Sequence, residues 1–111
     1  MKVTNIHSHS ELLEKLDKSE NAYLLLYKKE SDNSLCAKRN IESVDLDEGD
    51  IRIFAAEVGE VKDVHPHYNI TSVPTLIEFD HGKLKNIVKG CHDGSYYKSY
   101  FQHIIYELKS D

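Results

Sequence analysis

Apolar and polar positions along the chain follow first a strand-like and then a helix-like spacing, and the changes between the two mark out its elements. A short strand is predicted over residues 2–6. Ser8-x-x-Glu11 has the capping-box spacing of a helix start, and Leu12, Leu13 and Leu16 would lie on that helix's apolar face, with Asn21 closing it. Residues 23–27 form a continuous apolar run of strand length, the pattern of a central strand covered on both faces. After a polar stretch over 28–34, Cys36 with Ala37, Asn40 with Ile41, and Val44 recur at helical spacing, which puts Cys36 in the first turn of a second helix. Residues 51–56 give the next strand, followed by a short helix carrying Val58, Val61 and Val64 up to Pro66.

The second half changes character. Strands over 75–79 and 84–88 flank a polar link, 80–83, that contains Gly82, which is a hairpin signal and implies antiparallel pairing. A last helix begins at Asp93 as its N-cap, and Tyr97, Tyr100 and Phe101, Ile104 and Ile105, and Leu108 form the stripe that packs it. Alternation of strand and helix in the first half implies parallel pairing with helices on both faces of the sheet. The expected architecture is therefore α/β, with a central mixed sheet of four to five strands. With no repeat and no linker in its 111 residues, the chain is expected to be a single domain over 1–111.

Charge and composition narrow the function classes. Lys+Arg 14 against Asp+Glu 19 gives a net charge of -5, which argues against nucleic acid or an anionic membrane as partner, since both demand clustered basic side chains. The longest apolar run, 22–27, falls far short of the roughly 20 residues that span a bilayer. The first residues show no apolar signal region, so the expected location is the cytoplasm. Two cysteines, Cys36 and Cys91, are too few for a disulfide scaffold, and in a reducing compartment an isolated cysteine is usually an inert small hydrophobe.

The segment Tyr68-Asn69-Ile70-Thr71-Ser72-Val73-Pro74-Thr75-Leu76-Ile77-Glu78-Phe79-Asp80-His81-Gly82-Lys83 resembles the part of the thioredoxin family in which an aliphatic residue, proline and threonine open a strand. Pro74, Gly82 and Gly90 have the matching even spacing, and the resemblance extends over nearly the whole chain. It implies the thioredoxin fold and a cis Val73-Pro74 bond. It also implies a substrate-binding role for Val73, Pro74, Thr75 and Gly90, in which the Val73 backbone pairs with an extended peptide by strand addition. The alternative for Pro74 is simply to open a strand, where its missing N–H does no harm.

The family carries Cys-x-x-Cys where the second strand runs into its helix. Here the matching stretch is Asn33-Ser34-Leu35-Cys36, with Cys36 at the second cysteine's position and Asn33 at that of the attacking one. Asp32 stands for the family's tryptophan, Leu35 for its proline and Leu26 for its buried acid. Dithiol exchange needs an attacking thiolate and a resolving thiol, so this degenerate motif is not expected to act as an ordinary thioredoxin. If Cys36 is counted as the first cysteine, Arg39 takes the second position and the motif is monothiol. Proximity to a helix N-terminus, with Lys38 and Arg39 near, would favour a thiolate at Cys36; the bland alternative is that Cys36 packs under its helix.

Cys91 follows Gly90, which the resemblance places on the rim of the same surface. Cys91 is thus a possible attacking or resolving partner for Cys36, if their Cα atoms lie within about 4.4 to 6.8 Å. Thiol-disulfide exchange on protein or peptide partners is the first functional expectation. A non-catalytic module that binds an extended peptide is the second.

No cofactor is expected. Lys28, Lys29, Lys38 and Arg39 either hold a glutathione carboxylate or are solvated. His92 and Asp93 beside Cys91 suggest a triad, but adjacent residues rarely face one another as a base requires, and Asp93 has a simpler task as N-cap. His7-x-His9 and His65-x-His67 lack the ligand spacing of a structural zinc site, so no metal is expected. The acidic run over 45–50 reads as a solvated loop, Tyr96 as exposed, and nothing in the pattern sets an oligomeric state.

Overall fold

The strand β2 (Asn21–Tyr27) lies at the centre of a five-stranded sheet of order β1-β3-β2-β4-β5. A computed structural model describes residues 1–46 and 51–109, with side chains described as far as residue 103. In chain order the remaining elements are β1 (Thr4–Asn5), α1 (His9–Asp17), α2 (Asp32–Glu42), β3 (Ile51–Glu57), a 3-10 turn (His65–Tyr68), β4 (Thr75–Asp80), β5 (Lys83–Lys89) and α3 (Gly94–Lys109). β1 and β2 both run parallel to β3, while β4 is antiparallel to β2 and to β5. The expected mixed sheet is therefore present.

Side-chain alternation along the central strands feeds two separate cores. Leu24 and Leu26 point, with Phe54, Ala56, Ile77 and Phe79, toward Leu12 and Leu16 of α1. Tyr23 and Leu25 point, with Ile53, Ala55 and Leu76, toward Ala37 and Ile41 of α2 and Tyr97 and Phe101 of α3. Since every residue from Asn21 to Leu26 is buried, β2 is covered on both faces, which is why its sequence is a run rather than an alternation.

Several local expectations are corrected. Asn21 does not close α1. The helix ends at Asp17, where the Lys18 and Ser19 N–H groups bond back to Lys15 and Leu16, and Asn21 opens β2 opposite Ile51 and Asp80. Leu13 is half exposed, because only Leu12 and Leu16 of α1 face the sheet. No α-helix spans Val58 to Pro66. Instead the Glu57 carboxylate accepts from the Gly59 and Glu60 N–H groups and its carbonyl from Val61, forming a turn that still buries Val61 and Val64.

α2 also starts earlier than the apolar spacing suggested. Ser31 is its N-cap, accepting from the Ser34 N–H at 3.2 Å, so Cys36 lies in the second turn rather than the first. The hairpin between β4 and β5 is tighter than expected, closed by His81 and Gly82 alone, both at positive φ. The side chains of Ile104, Ile105 and Leu108, and the acidic residues Asp47, Glu48 and Asp50, fall outside the described residues.

Candidate functional site

The antiparallel register brings the end of β5 beside the start of β4, at the C-terminal end of β2. Leu26 lies opposite Thr75, and Thr75 lies opposite Lys89, so the residues after Lys89 emerge where the chain leaves β2 for α2. Here Cys36 of α2 and Cys91 are joined by a disulfide with a Cα–Cα distance of 5.9 Å. The two cysteines are separated by 55 positions, and neither is fully buried. In this structure the two cysteines are therefore joined as a bridge between a helix and a loop.

The loop carrying Cys91 is tied down on three sides. Gly90, at φ 85, adopts a left-handed conformation that suits glycine, and its N–H donates to the Pro74 carbonyl at 2.9 Å. The buried Tyr97 hydroxyl accepts from the His92 N–H at 3.2 Å and donates to the Gly90 carbonyl at 3.3 Å, pinning the loop to α3. From α2, Asn40 Nδ2 donates to the His92 carbonyl at 2.8 Å. The same nitrogen lies 3.7 Å from Cys36 Sγ and 3.6 Å from Cys91 Sγ.

The proline segment lies next to this loop. The Val73-Pro74 bond is cis, Pro74 and Thr75 are buried, and Thr75 Oγ1 donates to the Ser72 carbonyl at 2.8 Å. Val73 is partly buried against the α1-side core. The hydrogen bond from Gly90 thus places the Pro74 carbonyl within two residues of the disulfide.

At the front of α2, Asn33 and Leu35 are exposed, Leu35 at 39%. Ser34 is buried, and its Oγ has no hydrogen-bond partner among the described residues. Leu26 is wholly buried in the apolar core on the α1 side. The buried acid near this end of the sheet is instead Glu57, opposite Tyr27, whose carboxylate accepts from the Lys29 N–H at 2.7 Å as well as from the β3 turn. These backbone hydrogen bonds, that from Lys29 first, hold the Glu57 carboxyl below its ordinary range despite burial.

The basic residues proposed around the site are partly engaged. Lys29 Nζ is 2.6 Å from Glu60, and Lys38 Nζ is 3.2 Å from Glu42 and lies over the Tyr27 ring. His92 does not face Cys91 as a base would. Its ring stacks on Tyr96, and Nε2 is 3.0 Å from the Lys89 carbonyl. Asp93 caps α3 by accepting from the Tyr96 N–H at 3.1 Å, and this bond lowers its carboxyl pKa. The histidine pairs converge elsewhere, with His9 stacked on His67 at 3.7 Å between ring centres. Among the described residues no group of three or more His, Cys, Asp or Glu is arranged to hold a metal ion, and no helix is long and apolar enough to cross a membrane.

Sequence reasoning missed Asn40, Tyr97 and Glu57 as parts of this region. For Asn40 a signal existed. It occupies an inward-facing position one turn after Cys36, where a polar side chain needs a buried partner. Nothing in the sequence linked Tyr97 to the Cys91 loop, since a tyrosine on an apolar helix face is first of all a core residue.

No protein-family model matches the chain, and no curated protein matches its sequence. Solved structures do match its fold. The thioredoxin of Trypanosoma brucei brucei aligns with TM-score 0.81 at 12% identity, covering 94% of this chain and 91% of that one. A Plasmodium falciparum thioredoxin aligns at 0.77 with 18% identity, covering 96% and 99%, and that of Malassezia sympodialis at 0.77 with 16%, covering 96% and 93%. At such identities the likeness establishes the architecture alone: the chain has a thioredoxin-like α/β fold.

Proposed function

We infer that the chain is a thiol-disulfide redox protein whose two working sulfurs come from different elements, Cys36 on α2 and Cys91 on the loop after β5. The observation that carries this reading is the Cys36–Cys91 bridge, partly exposed at the C-terminal end of β2 and fastened through Gly90 to the cis-proline segment. Because Asn33 stands where a local attacking cysteine would be, the degenerate Asn33-Ser34-Leu35-Cys36 stretch cannot run dithiol exchange by itself. Cys91 supplies the second thiol.

The exchange balances without a cofactor. In the reduced protein one cysteine thiolate attacks a sulfur of a partner's disulfide; that S–S bond breaks, the partner's other sulfur leaves as a thiolate, and a mixed disulfide forms. The second cysteine then attacks the sulfur of the first, releasing the partner's remaining thiol and restoring the Cys36–Cys91 bridge. Two electrons pass from the cysteine pair to the partner, and a dithiol reductant returns them. The partner is a protein or peptide held in extended form along the Val73 backbone beside Pro74 and Thr75, with Gly90 leaving the approach free of a side chain. Cycling of this kind suits the reducing cytoplasm, where a disulfide is transient.

The test is a thiol count by mass spectrometry after alkylation of the native protein, with and without reductant, on wild type, Cys36→Ser and Cys91→Ser. The expected result is that oxidant protects both thiols of wild type, that dithiothreitol exposes both without unfolding, and that neither single variant forms an internal bridge. Two thiols that stay free after oxidant, or a bridge that opens only on unfolding, would overturn the redox reading and leave a peptide-binding module.

A further inference from the structure

Three features lie outside the exchange itself: the cleft between α1 and the His81–Gly82 turn, the stacked His9 and His67, and the Asn40 side chain. The cleft lies at the far end of the sheet, and among the described residues the histidine pair belongs to no group of three or more His, Cys, Asp or Glu arranged to hold a metal ion. Asn40 touches both sulfurs.

We propose that Asn40 makes the two cysteines unequal, setting Cys36 as the attacking thiolate and Cys91 as the resolving thiol; this assignment rests on the redox reading above. An asparagine amide has two N–H donors. One is committed to the His92 carbonyl at 2.8 Å, and the other reaches the disulfide, with Nδ2 at 3.7 Å from Cys36 Sγ and 3.6 Å from Cys91 Sγ. While the bridge is closed, this second donor meets two neutral sulfurs and contributes little.

Opening the bridge changes the balance, because a hydrogen bond to a charged sulfur is roughly twice as strong as one to a neutral acceptor. The two sulfurs differ in what else surrounds them. The His92 carbonyl oxygen lies 3.7 Å from Cys91 Sγ, so an S–H on Cys91 has an acceptor at hand. That carbonyl has two lone pairs and can serve Asn40 and Cys91 together. Cys91 is therefore held as the neutral thiol and would be disfavoured as an anion facing the same oxygen. Cys36, one helical turn before Asn40, receives the amide donor. Its place in the second turn of α2 makes this donor necessary, since the helix-terminus effect fades beyond the first turn.

In the forward exchange the Cys36 thiolate attacks the partner's disulfide, and its own sulfur becomes half of the mixed disulfide. The Cys91 thiol then loses its proton to solvent and attacks Cys36 Sγ, from which the partner's thiolate departs. Asn40 positions both events, holding the Cys91 loop through His92 and donating to Cys36 while it is charged.

The test uses Cys91→Ser, which isolates Cys36, and Cys36→Ser, which isolates Cys91, with thiol pKa values read from the pH dependence of alkylation. Cys36 is expected to carry at least about tenfold more thiolate at neutral pH than Cys91, one pKa unit or more. Adding Asn40→Ala to Cys91→Ser should move the Cys36 value back up toward the ordinary thiol range, and Asn40→Asp, an acceptor of the same shape, should raise it further. In the two-cysteine protein, Asn40→Ala should make the reduction potential more negative, because the reduced form loses its donor. A purely structural Asn40 would lower thermal stability and leave these values in place. Equal thiolate fractions for the two cysteines, a more acidic Cys91, or a Cys36 pKa indifferent to folded Asn40 variants would overturn the assignment. If the Asn40 variants do not fold, the comparison of the two single-cysteine proteins still decides it. A bridge that never opens in wild type defeats the redox reading itself, whereas a bridge that opens with two equivalent cysteines defeats the Asn40 assignment alone.

Discussion

Reduction of the Cys36–Cys91 bridge should cost the protein a large part of its stability, and the size of the loss can be worked out from the chain. The bridge closes a loop with a sequence separation of 55. On the chain-entropy relation, releasing a loop of that length returns about 14 cal/mol/K to the unfolded ensemble, or about 4 kcal/mol at room temperature. Small domains unfold with about 2.1 cal/mol/K of entropy per residue, so for a chain of this length a loss of about 4 kcal/mol lowers Tm by roughly 17 °C. The assay is thermal unfolding of the oxidised protein and of the same protein in reductant, with Cys36→Ser/Cys91→Ser as a second reduced-state reference. Urea unfolding should also show a larger m-value for the reduced form, because its unfolded chain is less compact. A difference in Tm below about 5 °C, with m unchanged, would refute the argument that the bridge spans this loop in the native protein.

Three further outcomes concern single residues. Gly90→Ala should lower stability by about 1–2 kcal/mol in urea unfolding through backbone strain alone, since φ is 85 and nothing lies within 4 Å of an added Cβ. Tyr97→Phe removes the hydroxyl that holds both the Gly90 carbonyl and the His92 N–H, and should cost about 1–3 kcal/mol while speeding reduction of the bridge by dithiothreitol. Burial first, and His67 second, hold the His9 imidazole below its ordinary 6.5, with Asp63 opposing and the Tyr68 hydroxyl 3.4 Å away. The folded state then binds fewer protons than the unfolded chain, so the urea midpoint should fall as pH drops from about 7.5 to about 5.5, and His9→Gln should reduce that fall. The carboxyls of Glu57 and Asp93, lowered by their backbone hydrogen bonds, lose their contributions only in the more acidic range below ordinary carboxylate values, which separates the two effects.

Much of the architecture was legible because burial writes its period into the chain. The unbroken apolar stretch of β2 announced a strand covered on both faces, and the polar link with Gly82 announced the hairpin. The segment around Pro74 gave the family likeness, and through it the cis bond now seen at Val73-Pro74. Where the reading slipped, local bonds had overridden the spacing. Ser31 captured the Ser34 N–H and started α2 before its apolar stripe begins, moving Cys36 to the second turn. After β3 the Glu57 carboxylate and carbonyl hold the Gly59, Glu60 and Val61 N–H groups in a single turn, where the apolar spacing of Val58, Val61 and Val64 had suggested a helix.

The sequence by itself determined the sheet, its covering helices and the absence of a second cysteine close to Cys36, because these depend on side-chain period and on residue identity. Only the tertiary structure decided that Cys36 meets Cys91, and that Asn40 and Tyr97 hold the loop that makes them meet. Such contacts depend on the register of β4 on β5 and on how α3 seats against α2, both set by packing among residues distant in the chain. A distance of 5.9 Å across 55 positions is a property of that packing, and no local pattern encodes it.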